Sequence, residues 1–339
     1  MKNKIIAIHN DIRPGNYCHK WIEFCKNNGI NYVEVNAYSD DIMNQVKDCD
    51  KFMWHFSENK YEDLLMARKV LNAIEAKGID VYPNHQSNWH FDDKTAQKYL
   101  LEGIGAPLVE SYVFYDQDTA LNWAKNSKYP LVFKLKGGSG SSNVLLLKDY
   151  KSASIKIKAM FNNGIKGHSF KNYFNEKIRH FKSDKGNYKD LLKIVYRFFI
   201  RKEFDKKSFP EKGYAYFQKF IPKNDFDVRV VVIGDKCFGI KRMNRENDFR
   251  ASGSGKFIYD DVDIECIKIA FDIQKKIGML SVAFDFIYEN NEPKIVEISY
   301  CFGVKGVSNC KVYWDRNLNC YKNVNIDPPI MILEEFINQ

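Results

Sequence analysis

Two short apolar segments, each with one carboxylate inside it, constrain this chain most. They are Val282-Ala-Phe-Asp-Phe-Ile287 and Lys294-Ile-Val-Glu-Ile-Ser299. Their β-branched and aromatic content predicts two strands, and Glu289 to Pro293 between them is turn material. Paired as a hairpin, the strands bring Asp285 and Glu297 side by side in otherwise apolar sequence. Adjacent carboxylates repel, and burial penalises each charge further. A divalent cation with oxygen ligands relieves both costs, and Mg²⁺ that also holds phosphates suits one or two carboxylates. A surface hairpin with a solvated Asp and Glu is the plain alternative, so the metal reading needs support elsewhere.

That support lies upstream. Tyr129-Pro-Leu-Val-Phe-Lys134 reads as a strand ending in a lysine, and Val144 to Leu147 reads as a second strand. Between them runs Gly137-Gly138-Ser139-Gly140-Ser141-Ser142. Such a loop can lay backbone N–H groups against phosphate oxygens, because glycine permits close approach. Lys134 adds a point charge to the same phosphates. No Gly-Lys-Ser/Thr is present, and a strand follows where a Walker loop needs a helix. A third lysine-bearing segment, Asp93-Lys94-Thr95, opens a helix expected to run to about Ile104.

In this order the pieces resemble the ATP-grasp superfamily, most closely the branch of glutathione synthetase and the RimK-like ligases. The resemblance covers roughly residues 90 to 300, with a weaker likeness to the N-terminus. Lys94 and Lys134 match the two ATP lysines, and Gly137 to Ser142 the loop that closes over the phosphates. Gln218-Lys219-Phe220-Ile221 resembles the hinge whose backbone reads the adenine edge. Asp227-Val228-Arg229, Lys241-Arg242 and Phe249-Arg250 match the Asp-x-Arg strand and two arginines that follow it. Asp285 and Glu297 take the metal positions, with Ser299 as a third candidate ligand. The chain departs from the pattern there, and at Ser252, because the family has Asn at both places.

The resemblance implies an α/β fold of three parts: a small parallel α/β domain, a lid, and a core, with nucleotide between lid and core. The boundaries expected are 1–90, 91–218 and 219–339. It also implies ATP and Mg²⁺, with Mn²⁺ as a substitute. A substrate carboxylate attacks the γ-phosphate, and an amine then displaces phosphate from the acyl-phosphate. This chemistry needs positioning and charge cancellation, not a nucleophilic side chain. Arg242 and Arg250 would stabilise the acyl-phosphate, and Asp225 or Asp227 would accept from the ribose hydroxyls. Asp227 orienting Arg229 is an equal alternative. The substrates expected are a small-molecule or polymer carboxylate, such as a sugar acid or peptide, and an amine. A second class stays open: a catalytically altered nucleotide or anionic-surface binder, or a kinase, on the same fold.

Composition fits a globular enzyme, with 45% hydrophobic and 28% charged residues among 339. Residues 1 to 90 alternate strand and helix, as in a small parallel sheet. No apolar stretch is long enough for a membrane span, and the N-terminal segment does not read as a signal peptide. Eight scattered cysteines without a Cys-x-x-Cys pair point to a reducing cytoplasm.

Residues 163–212 carry fourteen Lys or Arg against six Asp or Glu, nearly the whole formal charge of +9. Within this insertion, 188–204 has a basic and an apolar-aromatic face at helical spacing. Three readings compete: a lid helix packed on its own core, attachment to the anionic inner face of a membrane, and docking of an acidic substrate. Nucleic acid is disfavoured because no stacking platform accompanies the charge. The sequence leaves oligomerisation open.

Overall fold

A computed structural model describes residues 4–11, 13, 15–137, 143–167, 209–246, 248–322 and 325–339. Most of the Gly/Ser loop (138–142) and the amphipathic segment 188–204 lie outside the described residues.

The described residues form three sheets. The first is parallel, in the order β2-β1-β3-β4, from β1 (Ile6–His9), β2 (Tyr32–Val35), β3 (Lys51–Met53) and β4 (Asp80–Tyr82). Helix α1 (Cys18–Asn27) buries Cys18, Trp21 and Cys25, one stripe at helical spacing.

The second sheet is antiparallel, in the order β5-β8-β6-β7. Its strands are β5 (Ser111–Phe114), β6 (Leu131–Lys134), β7 (Val144–Leu147) and β8 (Ala215–Lys219). It has its own core, including Phe133 and Phe217.

The third sheet runs β13-β12-β9-β10-β14-β15, with β11 paired to β10. Its strands are β9 (Phe226–Ile233), β10 (Lys236–Met243), β11 (Phe257–Ile258), β12 (Ser281–Glu289), β13 (Glu292–Ser299), β14 (Val312–Trp314) and β15 (Cys320–Lys322). The helix Ile264–Ile277 packs against it and ends at Gly278, which takes the left-handed conformation that needs no Cβ. The expected carboxylate hairpin is β12–β13. Its turn residues Asn290 and Asn291 both have positive φ, as a tight two-residue hairpin requires.

One hydrophobic cluster runs through the first and third sheets together. Three buried hydrogen bonds cross between them: Tyr17 Oη to the Phe302 carbonyl (2.6 Å), Trp21 Nε1 to the Pro329 carbonyl (2.8 Å), and Tyr82 Oη with Ser281 Oγ (2.7 Å). The second sheet joins the third through chain crossings. Backbone bonds link Val109 to Ile295 (2.9 Å) and Ile295 to Pro107 (2.7 Å).

All eight cysteines are free thiols. Among the described residues no helix is long and apolar enough to cross a membrane.

Candidate active site

Strand register builds the charged wall of the site. Across the third sheet Glu297 stands opposite Asp285, and Asp285 opposite Arg229. Two residues along β9, Asp227 stands opposite Arg242. Side chains two apart on a strand share a face, so all five project from the same side.

The contacts follow the register. Arg229 donates to Asp285 through Nε (2.7 Å to Oδ1) and Nη2 (2.8 Å to Oδ2). Arg242 donates to both oxygens of Asp227, at 2.6 and 2.5 Å, and also lies 2.8 Å from Asp285 Oδ2. Burial alone would raise the Asp285 pKa, but the two guanidinium groups hold it well below the usual carboxylate range. A bulge sits next to this row, because the β12–β13 register shifts between Asp285 and Phe286. Bulges commonly re-aim side chains beside sites.

Two lysines face this wall. Lys94 is the first residue of the helix Lys94–Gly103, whose N-terminus Asp93 caps by accepting from the Thr95 and Ala96 amides. Its backbone N–H donates to the Lys136 carbonyl at 3.0 Å, which ties the helix start to the end of β6. Its ammonium is 3.1 Å from Glu297 Oε1. Burial pulls the Lys94 pKa down, but Glu297 and Asp92 outweigh it and the group stands at about 12.

Lys134 ends β6 and donates to a neutral partner, Gln218 Oε1, at 2.6 Å. Burial lowers it to about 8, Lys94 adds to the fall, and Glu297 and Asp285 oppose it. The side chains of Lys94 and Lys134 are 5% and 4% exposed.

All of these groups except Arg242 line a cavity of about 1030 Å³ between the second and third sheets. One end is apolar, walled by Val132, Val144, Phe220, Phe226 and Ile287 and edged by the connection from Gln218 to Ile221. Lys219 in that connection pairs with Glu289 at 2.6 Å. The other end is polar and receives loops that follow β1 and β3, including Asn16, His55 and Glu58. Ligands in open α/β sheets gather at such strand ends.

Most residues singled out from the sequence meet here: Lys94, Lys134, Gln218 to Ile221, Asp227, Arg250, Asp285, Glu297 and Ser299 all line the cavity. Gly137 sits at the base of the Gly/Ser loop, where the Asn143 side chain donates to its carbonyl at 2.8 Å. A Cβ there would lie 3.0 Å from Asp92 Oδ2, so glycine suits the position. Gly138, Ser139, Gly140 and Ser141 lie outside the described residues.

Three expectations change. Asp225 is exposed and off the cavity wall, which leaves Asp227 as the carboxylate of that pair inside it. Asp227 orients Arg242, not Arg229. Directly opposed residues on neighbouring strands are about 5 Å apart, closer than the i, i+2 pair on one strand. Arg242 is buried and does not line the cavity, whereas Arg229 does. Arg229 was missed as a site residue, although the Asp-x-Arg spacing placed it on the face of Asp227. Arg250 lines the cavity with its guanidinium held by Asp248. His55 Nε2 is 3.3 Å from Cys301 Sγ, and its Nδ1 has no partner among the described residues.

The donor set can be tested for a cation. Among the described residues no three His, Cys, Asp or Glu side chains converge. A metal ion here would therefore take most of its ligands from a phosphate-bearing substrate, as Mg²⁺ commonly does. Glu297 fits that role: it is 32% exposed, lines the cavity, and Lys94 is its contact.

Residues 211–318 match the family model of the RimK-like ATP-grasp domain. The alpha-aminoadipate–LysW ligase LysX of Saccharolobus solfataricus is 22% identical over 278 residues, which cover 79% of this chain and 82% of that protein. The RimK domain ATP-grasp protein of Sphaerobacter thermophilus superposes with a TM-score of 0.58 at 16% identity, over 98% of this chain and 99% of that one. The ATP-grasp ligase PsnB, solved with a minimal precursor, superposes with a TM-score of 0.56 at 12% identity, over 100% and 99%. The fold is the ATP-grasp fold. Within it, residues 211–318 match a RimK-like ATP-grasp domain.

Proposed function

We propose that the chain is an ATP-dependent ligase that joins a carboxylate to an amine through an acyl-phosphate. The observation that carries this reading is the convergence, in one cavity, of two buried ammonium groups, an aimed arginine and an accessible carboxylate. The relative named as a ligase of alpha-aminoadipate and LysW supports the same class.

In this reading the adenine occupies the apolar end, against Phe226 and Ile287 and the backbone of 218–221. Lys94 and Lys134 hold phosphate oxygens. Glu297 would hold Mg²⁺, which when bound supplies Lewis-acid neutralisation of phosphate charge. Arg229 and Arg250 face the transferring phosphoryl group and the acyl oxygen, where fixed positive charge acts in a low-dielectric site. The second sheet, with residues 91–218, acts as the lid and excludes water from the acyl-phosphate. The attacking amine loses its proton to water or a phosphate oxygen, so no dedicated base is needed. The polar end of the cavity receives the carboxylate and amine.

The products should be ADP and phosphate. With ¹⁸O in the substrate carboxylate, one label should move into phosphate. AMP as the stoichiometric product would overturn the mechanism.

One observation favours a second reading, a nucleotide binder without ligation. Ser299 Oγ donates to the Cys301 carbonyl at 2.7 Å and accepts from the Cys301 amide at 3.2 Å, so it is engaged with its own loop. Such a protein would bind Mg-ATP yet release no phosphate with any carboxylate and amine pool.

A further inference from the structure

We infer that this chain takes a single divalent cation, held by Glu297 as its one protein carboxylate, and that Asp285 is a positioning residue for Arg229 and Arg242. This rests on the nucleotide site proposed above and corrects the sequence expectation, in which Asp285, Glu297 and Ser299 shared the metal.

The argument is a count of lone pairs and charges. An ionised carboxylate offers about four lone-pair sites. Asp285 spends three on guanidinium N–H groups: Oδ1 accepts from Arg229 Nε at 2.7 Å, and Oδ2 lies 2.8 Å from an Nη2 of both Arg229 and Arg242. Bidentate contact of this kind is the strong form of a carboxylate pair. Arg229 and Arg242 already neutralise Asp285 and Asp227, and a divalent ion on the last lone pair of Asp285 would sit against the Arg229 guanidinium.

Asp227 is the weaker candidate, since Arg242 holds it bidentately at 2.6 and 2.5 Å and its side chain is 14% exposed. Ser299 Oγ is occupied by the Cys301 backbone. Glu297 differs from all three. Its contact among the described residues is one ammonium, Lys94, on Oε1 at 3.1 Å. Its side chain is 32% exposed on the cavity wall, against 15% for Asp285.

The register makes this division of labour structural. Asp285 lies between Arg229 on β9 and Glu297 on β13, so an arginine meets one flank of Asp285 before any ion can bridge the other. The arginine that faces the cavity, Arg229, is thereby aimed along the sheet face on which Glu297 would hold the ion. Loss of Asp285 should release both guanidinium groups, and so act on turnover more than on the ion.

The test is a titration of the full chain with Mn²⁺ and an imido-bridged, non-hydrolysable ATP analogue. Free Mn²⁺ is read by electron paramagnetic resonance, and analogue binding by calorimetry. The expected result is one Mn²⁺ per nucleotide-bound chain. Glu297→Gln should weaken that ion by tenfold or more. Asp285→Asn should keep one ion with affinity within about threefold, while kcat falls. Two ions in the wild type would overturn the inference even if Asp285→Asn fails to fold. Loss of the ion in a folded Asp285→Asn variant, checked by circular dichroism, would also overturn it. Failure of the wild type to bind the analogue at all would defeat the ligase reading and this inference with it, a result distinct from binding with two ions.

Discussion

Lys94 and Lys134 carry the same charge into one cavity, but their neighbours set them apart. Lys94 has an anion, Glu297, and stays charged throughout the working range at about 12. Lys134 has an amide and a second cation nearby, and burial brings it to about 8. The folded value lies below the ordinary 10.5 of the unfolded chain. From about 8 up to 10.5 the unfolded state therefore binds more protons, so this group makes the nucleotide-free protein more stable as pH rises. Nucleotide binding has the opposite sign. Phosphate oxygens beside Lys134 favour its ammonium, so binding takes up a proton where the free protein has lost one. Mg-ATP affinity should fall above pH 8 by up to roughly tenfold per pH unit. Calorimetry in buffers of different ionisation enthalpy should show proton uptake near that pH. Lys134→Met should abolish the uptake and weaken binding by about tenfold or more. Uptake that persists unchanged in Lys134→Met would remove Lys134 from the phosphate site.

The strands explain which parts of the site the sequence disclosed. The Asp285–Glu297 pairing was legible because two runs rich in β-branched and aromatic residues flanked turn residues, and Asn290 and Asn291 closed them in a tight hairpin. The lysines were legible because each marks the end of an element, Lys134 after an apolar strand and Lys94 beside a capping Asp93. The pairing of Arg229 with Asp285 was not, because it depends on β12 lying beside β9, a long-range register that no local pattern encodes. The bulge on β13 was equally hidden. Strand β10, which carries Arg242, shows a further constraint. A Cβ on Gly239 would lie 2.3 Å from Val262 Cγ1, well inside contact distance. Gly239→Ala should therefore cost about 1–3 kcal/mol by overpacking. The urea midpoint should fall with its slope unchanged. Adding Val262→Ala should recover part of the loss. An unchanged midpoint in Gly239→Ala would mean that the segment around Val262 yields without cost.

At the scale of the molecule, the first and third sheets share one hydrophobic cluster and the second sheet keeps its own. The family resemblance implied three parts, and the alternation over residues 1–90 did foretell the parallel sheet. It could not show how cores are shared, because that depends on buried contacts between residues some three hundred positions apart. Trp21 is such a contact: it is fully buried, and its indole donates to the Pro329 carbonyl at 2.8 Å. Trp21→Phe keeps an aromatic ring but leaves that buried carbonyl unpaired, at a cost of about 1–3 kcal/mol. A shared core passes this loss to both ends of the chain. In hydrogen exchange, peptides from the first sheet and from β9, β10 and β12 should lose protection together, while β5, β6 and β8 keep theirs. Protection lost in the first sheet alone would show that the cluster is two cores in contact. The coupling matters for the proposed chemistry because the polar end of the cavity is built from loops of the first sheet and the charged wall from the third. Substrates held by the one can meet phosphate held by the other only if the two move as a unit, with closure left to the second sheet.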